Sequence, residues 1–361
     1  LVKQEAGQRG YRAGEHLLVY TVNMKRVITR VILPWLVTGL ALFFAFKGIQ
    51  WHELWTSIKS ADPLLIAAAF LLTNLSYVLR AFRWQLLFPN THLPLVSSLK
   101  VLILGFFMNN VLPARAGELV RAHLGGKVSG ESRALVLATI ASERLADGLS
   151  ISLMFVLIIG LFGRGHLDPN YADNLMYVAY LFGGATVAVL LVLLFRTRIF
   201  TLSAQLIEKY NRKSLTFTLS KAEVFINGLS PLCSPARAFK ISLWSIVIWS
   251  VELLVYISVA KAFSSDLAIS GCVLFLVAVN FSSLIPAAPG GFGVIELVAK
   301  NVLLSLGVAT SELALSMVLA QHFIQYIVIG IPGALLLATL RSQLRDMQED
   351  GIRNGAAVNA Q

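Results

Sequence analysis

The chain is poor in charge and almost without cysteine. Only 14% of its 361 residues are Asp, Glu, Lys or Arg, against about 25% in an ordinary soluble domain. The cysteines are Cys233 and Cys272, too few and too far apart for a disulfide framework or a zinc site. The six histidines, at 16, 52, 92, 123, 166 and 322, never fall at metal-ligand spacing, so neither a metal nor a cofactor is expected. The phosphate-cradling pattern GxxxxGK[ST] is missing, which argues against ATP drive. A cleavable leader is not expected either, because Val31 to Ile49 runs too long and lacks a small-residue cleavage site.

What replaces charge is apolar sequence, 57% of the chain. It is gathered in blocks such as Leu64 to Leu72, Leu149 to Leu161, Leu175 to Phe195 and Ala334 to Leu340. A hydrocarbon core of roughly 30 Å is crossed by about 20 apolar residues in a helix. The pattern predicts an all-α, polytopic membrane protein with about six crossing helices, near 31–49, 63–84, 134–160, 174–195, 239–262 and 313–340. One membrane domain over 24–345 accounts for it. A polar extension at 1–23 precedes that domain, and a disordered cytoplasmic tail at 346–361 is expected after it. The net charge of +11 lies mostly between apolar blocks with no RNA-binding aromatic motif around it. It therefore reads as topology determinants and contacts to anionic headgroups, not as a nucleic-acid surface.

Two further apolar segments, about 95–112 and 267–285, stop abruptly at a proline. The first runs into Pro113-Ala-Arg115-Ala-Gly117-Glu118, the second into Pro286-Ala-Ala-Pro289-Gly290-Gly291-Phe-Gly293-Val-Ile-Glu296. Proline and glycine free backbone groups that bare hydrocarbon cannot solvate, so such breaks belong inside protein or beside a wet cavity. Both segments are expected to be re-entrant broken hairpins. With both read so and the N-terminus in the cytoplasm, the Arg80–Arg83, Arg115–Arg133, Arg196–Lys240 and Arg341–Arg345 clusters are cytoplasmic. Only Lys59, Arg164, Lys261 and Lys300 remain outside, as the positive-inside rule requires. Two full crossings per hairpin would leave sidedness unchanged. The polar stretch 199–228, with spaced apolar residues, is expected to be an interfacial helix.

The two broken segments resemble each other. Asn110-Val-Leu-Pro113 matches Ser283-Leu-Ile-Pro286, and Leu135 to Glu143 lies over Leu313 to Gln321 at nearly the same offset. Repeat halves at about 95–160 and 267–340, separated by three crossings, have opposite orientation. Inverted repeats with broken helices are a transporter pattern.

Polar residues then mark candidate headgroup contacts. Glu143, Arg144 and Asp147 sit in an otherwise apolar helix, where each ionisable group costs about 2.5–3.5 kcal/mol on the lenient insertion scale. They form either a mutually neutralising lock between helices or a polar wall along a path. Gln321, His322 and Gln325 share a side of the matching helix. Asn109 and Asn110, just before the first break, either satisfy freed backbone or bind a ligand, and Arg115 and Arg121 beside Glu118 suit a phosphate. Gly290, Gly291 and Gly293 are able to form a backbone nest for an anion, which Glu296 would repel unless it is paired or caps a helix. Arg80 and Arg83 end the second crossing, where snorkelling is the default. Asp147→Asn is expected to fold and to lose translocation.

Asn110 to Glu118, Glu143-Arg144-Leu-Ala-Asp147 and Pro286 to Glu296 together resemble the lysylphosphatidylglycerol synthase transmembrane-region family, also called flippase-like, over about 25–340. The resemblance implies translocation of a lipid headgroup without the soluble synthase domain of its best-known members. It leaves the lipid unnamed, since other relatives are associated with polyprenyl-linked sugars, hopanoids or glycosyltransferases. The expected partners are membrane lipids and a lipid- or glycan-modifying enzyme, in a cell membrane with both termini cytoplasmic. A membrane-embedded transferase using Glu143, Asp147 or His322 as base, and a non-transporting scaffold, are the competing readings.

Overall fold

The computed structural model describes residues 33–88, 91, 93–112, 116–162, scattered positions between 180 and 205, 223–283, 285 and 287–358. Most of the expected crossing at 174–195, most of the 199–228 segment, the 1–23 extension, and Pro113, Arg115 and Pro286 lie outside these residues. Among the described residues the longer helices are α1 (Leu33–Phe46), α2 (Trp51–Ser60), α3 (Pro63–Leu86), α4 (Leu95–Val111) and α5 (Gly117–Ser129). They continue with α6 (Arg133–Phe162), α7 (Pro235–Ala262), α8 (Ile269–Ser282), α9 (Val294–Ser305) and α10 (Ser311–Val358), with no strand among the described residues.

Among the described residues three helices are long and apolar enough to cross a membrane: α3, α7 and the Ser311–Thr339 part of α10. The pair α1 and α2 adds a fourth if it is taken as one span bent by 84°. The chain is therefore a polytopic helical membrane protein. The crossing expected at 134–160 is α6, whose 30 residues reach about 45 Å at 1.5 Å per residue. It is not among the three, and its first half carries Arg133, Glu143, Arg144 and Asp147. The α10 helix runs to Val358.

Local sequence accounts for the boundaries. Asp62 caps α3 by accepting from the N–H groups of Leu64 (2.8 Å) and Leu65 (3.3 Å), with Pro63 at the first helical position. Gly130, at φ 74°, closes α5 in a left-handed turn. The bend between α1 and α2 leaves carbonyls free at one helix end and N–H groups at the other. The Lys300 ammonium donates to the Ala45 carbonyl at 2.5 Å, and Glu312 Oε1 accepts from the Gln50 N–H at 3.0 Å. A cation thus sits at a helix C-terminus and an anion at an N-terminus, the favourable sense of the helix dipole.

The core centres on α8. From Gly271 to Ser282 nearly every residue is buried, including Cys272, Phe275 and Phe281. A helix apolar on all sides belongs inside protein. It packs against α6, α7 and α9, while α4 packs against α3, α5 and α10. Leu40, Phe43, Leu71, Leu153, Leu254 and Leu335 point outward from the bundle, as lipid-facing side chains do.

Candidate functional site

Three helices carry polar residues at helical spacing on the faces they turn to one another. On α3 these are Ser76, Arg80 and Arg83; on α7, Ser245, Trp249 and Glu252; on α6, Glu143 and Asp147. Spacings of three and four place each set on one side of its helix. The Arg83 guanidinium donates to Asp147 Oδ1 at 2.6 Å and to Ser245 Oγ at 2.8 Å. Arg80 reaches Asp147 Oδ2 at 3.4 Å and Glu252 Oε1 at 3.2 Å. Trp249 Nε1 donates to Asp147 at 3.1 Å and Ser76 Oγ donates to Glu252 at 2.6 Å. The Arg80 guanidinium also lies 4.9 Å from the centre of the Trp249 ring.

Arg121, from α5, forks onto Glu143 with contacts of 3.0 and 2.7 Å and lies 4.3 Å over the Trp84 ring. Arg80, Arg83 and Arg121 thus neutralise Glu143, Asp147 and Glu252, and all six are buried. Burying charges is tolerated when they are paired and hydrogen-bonded. The expectation that Arg80 and Arg83 snorkel outward is corrected, since both turn inward to carboxylates. Arg121, expected to grip phosphate, is committed to Glu143.

Arg144 stands apart. Its side chain keeps 34% of its exposure, and it touches Glu143 and Glu118 only at 3.5 Å, with Glu118 itself 30% exposed. Its guanidinium lies 5.3 Å from the Phe106 ring. Asn109, Asn110 and Glu118 are half-buried at the two helix ends flanking the first break. Asn109 Oδ1 and Ser142 Oγ are buried with no hydrogen-bond partner among the described residues.

The second break forms a separate cluster. Gly290, Gly291 and Gly293 take φ of 81°, 76° and 84°, a region that glycine enters without the steric cost other residues meet. The Gly293 N–H donates to Glu296 Oε2 at 2.6 Å, so Glu296 caps the start of α9. Its other oxygen lies 2.6 Å from His322 Nδ1, and His322 Nε2 lies 3.2 Å from the Gly290 carbonyl. The nest expected to receive a phosphate is therefore held by the chain's own carboxylate. Phe292 stacks on Tyr326 with ring centres 4.7 Å apart. Gln321 is fully buried with neither side-chain atom partnered among the described residues, and Gln325 is half-buried. The Pro289–Gly291 turn packs on α4, so the two broken segments meet.

Trp249, Ser245 and Ser76 escaped sequence reasoning as site residues. Their signal was there, a polar residue every three or four positions in two apolar helices, both longer than a crossing requires. Among the described residues no group of three or more His, Cys, Asp or Glu side chains is placed to hold a metal.

Fold and site together describe a multi-pass helical membrane protein with a neutralised charge cluster inside its bundle. Residues 31–333 match the lysylphosphatidylglycerol synthase transmembrane region, and the chain belongs to that family. The matched region is the family's flippase-like membrane module and not its synthase domain. The chain is 26% identical to the glycosyltransferase AglD of Haloferax volcanii, over 92% of this chain and 58% of that protein. It is 25% identical to a UPF0104 membrane protein of Pyrococcus horikoshii, over 82% of this chain and 94% of the other. A UPF0104 membrane protein of Methanothermobacter thermautotrophicus is 23% identical over 80% of this chain and 87% of its own length. No solved structure matches.

Proposed function

We propose that the chain moves a phospholipid or lipid-linked headgroup between leaflets, with acyl chains left in the bilayer. Arg144 and Glu118 form the accessible edge of the polar path, flanked by Asn109, Asn110 and Ser142. The observation that carries this reading is the contrast in how the charges are held. Arg80, Arg83 and Arg121 are buried against carboxylates, whereas Arg144 is a third exposed and has only 3.5 Å contacts. A guanidinium so loosely engaged exchanges a carboxylate for a phosphate oxygen at little cost. The same contrast weighs against a transferase, because Glu143 and Asp147 are both bound to arginines and neither is free to act as a base.

In this reading α4–α5 and α8–α9 are re-entrant hairpins of an inverted repeat. Their support is length and burial. The 17 and 14 residues of α4 and α8 span only about 26 and 21 Å, and α8 is enclosed by protein. The N- and C-termini are cytoplasmic, by the distribution of Lys and Arg. AglD, a glycosyltransferase, is longer than the region aligned with this chain, which favours a glycan-modifying enzyme as partner and a lipid-linked sugar among the cargoes.

Purified protein in liposomes of phosphatidylglycerol and phosphatidylethanolamine tests the proposal with a fluorescent phosphatidylglycerol probe. Exchange of the probe between leaflets, absent from protein-free liposomes, is the expected result. Formation of a new lipid product without exchange would mean a transferase, and neither outcome would mean a scaffold.

A further inference from the structure

Resting on the proposed lipid movement, we infer that the His322–Glu296 pair is a proton-binding site that couples that movement to a pH difference across the membrane. The argument begins with hydrogen-bond arithmetic. The Gly290 carbonyl opposite Nε2 only accepts, so Nε2 carries a hydrogen. Nδ1 and Glu296 Oε1, 2.6 Å apart, are both acceptors when unprotonated and must share a second proton. The latched pair therefore holds two protons, as imidazolium with carboxylate or as imidazole with carboxylic acid, and is neutral in either form. When one proton leaves to water, the neutral imidazole keeps its single hydrogen on Nδ1 toward the Glu296 carboxylate, and Nε2 is left facing the Gly290 carbonyl lone pairs at 3.2 Å, so that tie must open.

Release of the Gly290 carbonyl frees one end of the glycine turn. Glu296 Oε2 accepts from the Gly293 N–H at 2.6 Å and His322 holds the Gly290 carbonyl, so the pair ties both ends of the glycine turn to α10. The turn has little room to move while latched. A Cβ at Gly290 would fall 1.3 Å from the Tyr326 hydroxyl, and one at Gly293 would fall 2.7 Å from the Thr38 carbonyl oxygen. The turn also packs on α4, the first helix of the other broken segment. Proton loss at one side chain pair therefore reaches the contact between the two repeats.

The surroundings leave the proton to this pair. From α9 come Glu296 and Lys300, and Lys300 is engaged with the Ala45 and Phe44 carbonyls. From α10 come His322 and Tyr326, and Glu312 is turned to Gln50. The α1 helix has no ionisable residue, and Lys100 of α4 and His52, Glu53 and Lys59 of α2 are exposed. On α3 and α7, Arg80, Arg83 and Glu252 are in the buried network, while Arg237, Lys240 and Lys261 are exposed. Both members of the pair are buried, His322 at 4% and Glu296 at 1% exposure.

The test is the steady-state distribution of fluorescent phosphatidylglycerol in the same liposomes under an imposed pH gradient. One proton per lipid sets the leaflet ratio to about tenfold for a gradient of one unit. His322→Gln and Glu296→Gln should both bring that ratio to about one, and thermal melting should show both variants folded. Should His322→Gln not fold, Glu296→Gln carries the test, because its amide oxygen still accepts from the Gly293 N–H. A wild-type ratio near one despite exchange would overturn the coupling while leaving lipid movement intact. So would a gradient response preserved in either folded variant. Absence of any exchange would overturn both.

Discussion

Asp147 accepts from two arginines and a tryptophan at once, and Arg83, fully buried, has only Ser245 besides it among the described residues. The sequence expectation that Asp147→Asn folds normally is therefore revised. Removing one partner of a buried pair costs about 3–5 kcal/mol, and Asp147→Asn should melt well below wild type in detergent. Replacing both members, Arg83→Met with Asp147→Leu, should recover most of that loss, because apolar residues of similar volume tolerate the site. A double variant no more stable than the single one would contradict the lock. Glu143, Arg144 and Asp147 were legible as intramembrane charges, but their partners were not. Spacing along one helix pointed to Arg144, whereas the arginines that engage Asp147 and Glu143 come from α3 and α5. Arg144 is left for the surface, where its 3.5 Å contacts are worth at most about 1 kcal/mol.

At the scale of elements, the first break is built around one close approach. A Cβ on Gly117 would stand 2.2 Å from the Gly105 carbonyl oxygen and 2.5 Å from the Asn109 backbone nitrogen. Only glycine lets α5 lie against α4 and bring Arg121 back to Glu143. Gly117→Val should force the pair apart, costing about the 1–3 kcal/mol typical of overpacking. Gly160→Ala, where a Cβ meets nothing within 4 Å, should be neutral or slightly stabilising, and thermal melts compare the two. Pro113 and Gly117 were legible as a break because they are local signals. The close contact was not, since it depends on Gly105, twelve positions earlier. Lys300 illustrates the same limit: its charge read as a topology marker, yet it caps α1 from α9.

Across the whole molecule, hydropathy and charge predicted helices at 63–84, 95–112, 134–160, 239–262 and 267–285. The structure has α3, α4, α6, α7 and α8 within a few residues of those bounds. Long apolar runs are legible because burial in lipid needs no partner to be specified. The bend of α1 into α2 was not, because its capping groups Lys300 and Glu312 lie on α9 and α10. Sidedness remains the largest-scale expectation. A single cysteine at 168 should label from outside and one at 212 should not; both positions lie outside the described residues, and the reverse pattern would end the assigned topology. The central claim is tested most directly by leaflet exchange in proteoliposomes holding Arg144→Ala beside wild type. Loss of a charged hydrogen bond to phosphate, about 1.5–3 kcal/mol, should slow exchange roughly 10- to 100-fold, with melting unchanged. Exchange at the wild-type rate in a folded Arg144→Ala protein would contradict the account.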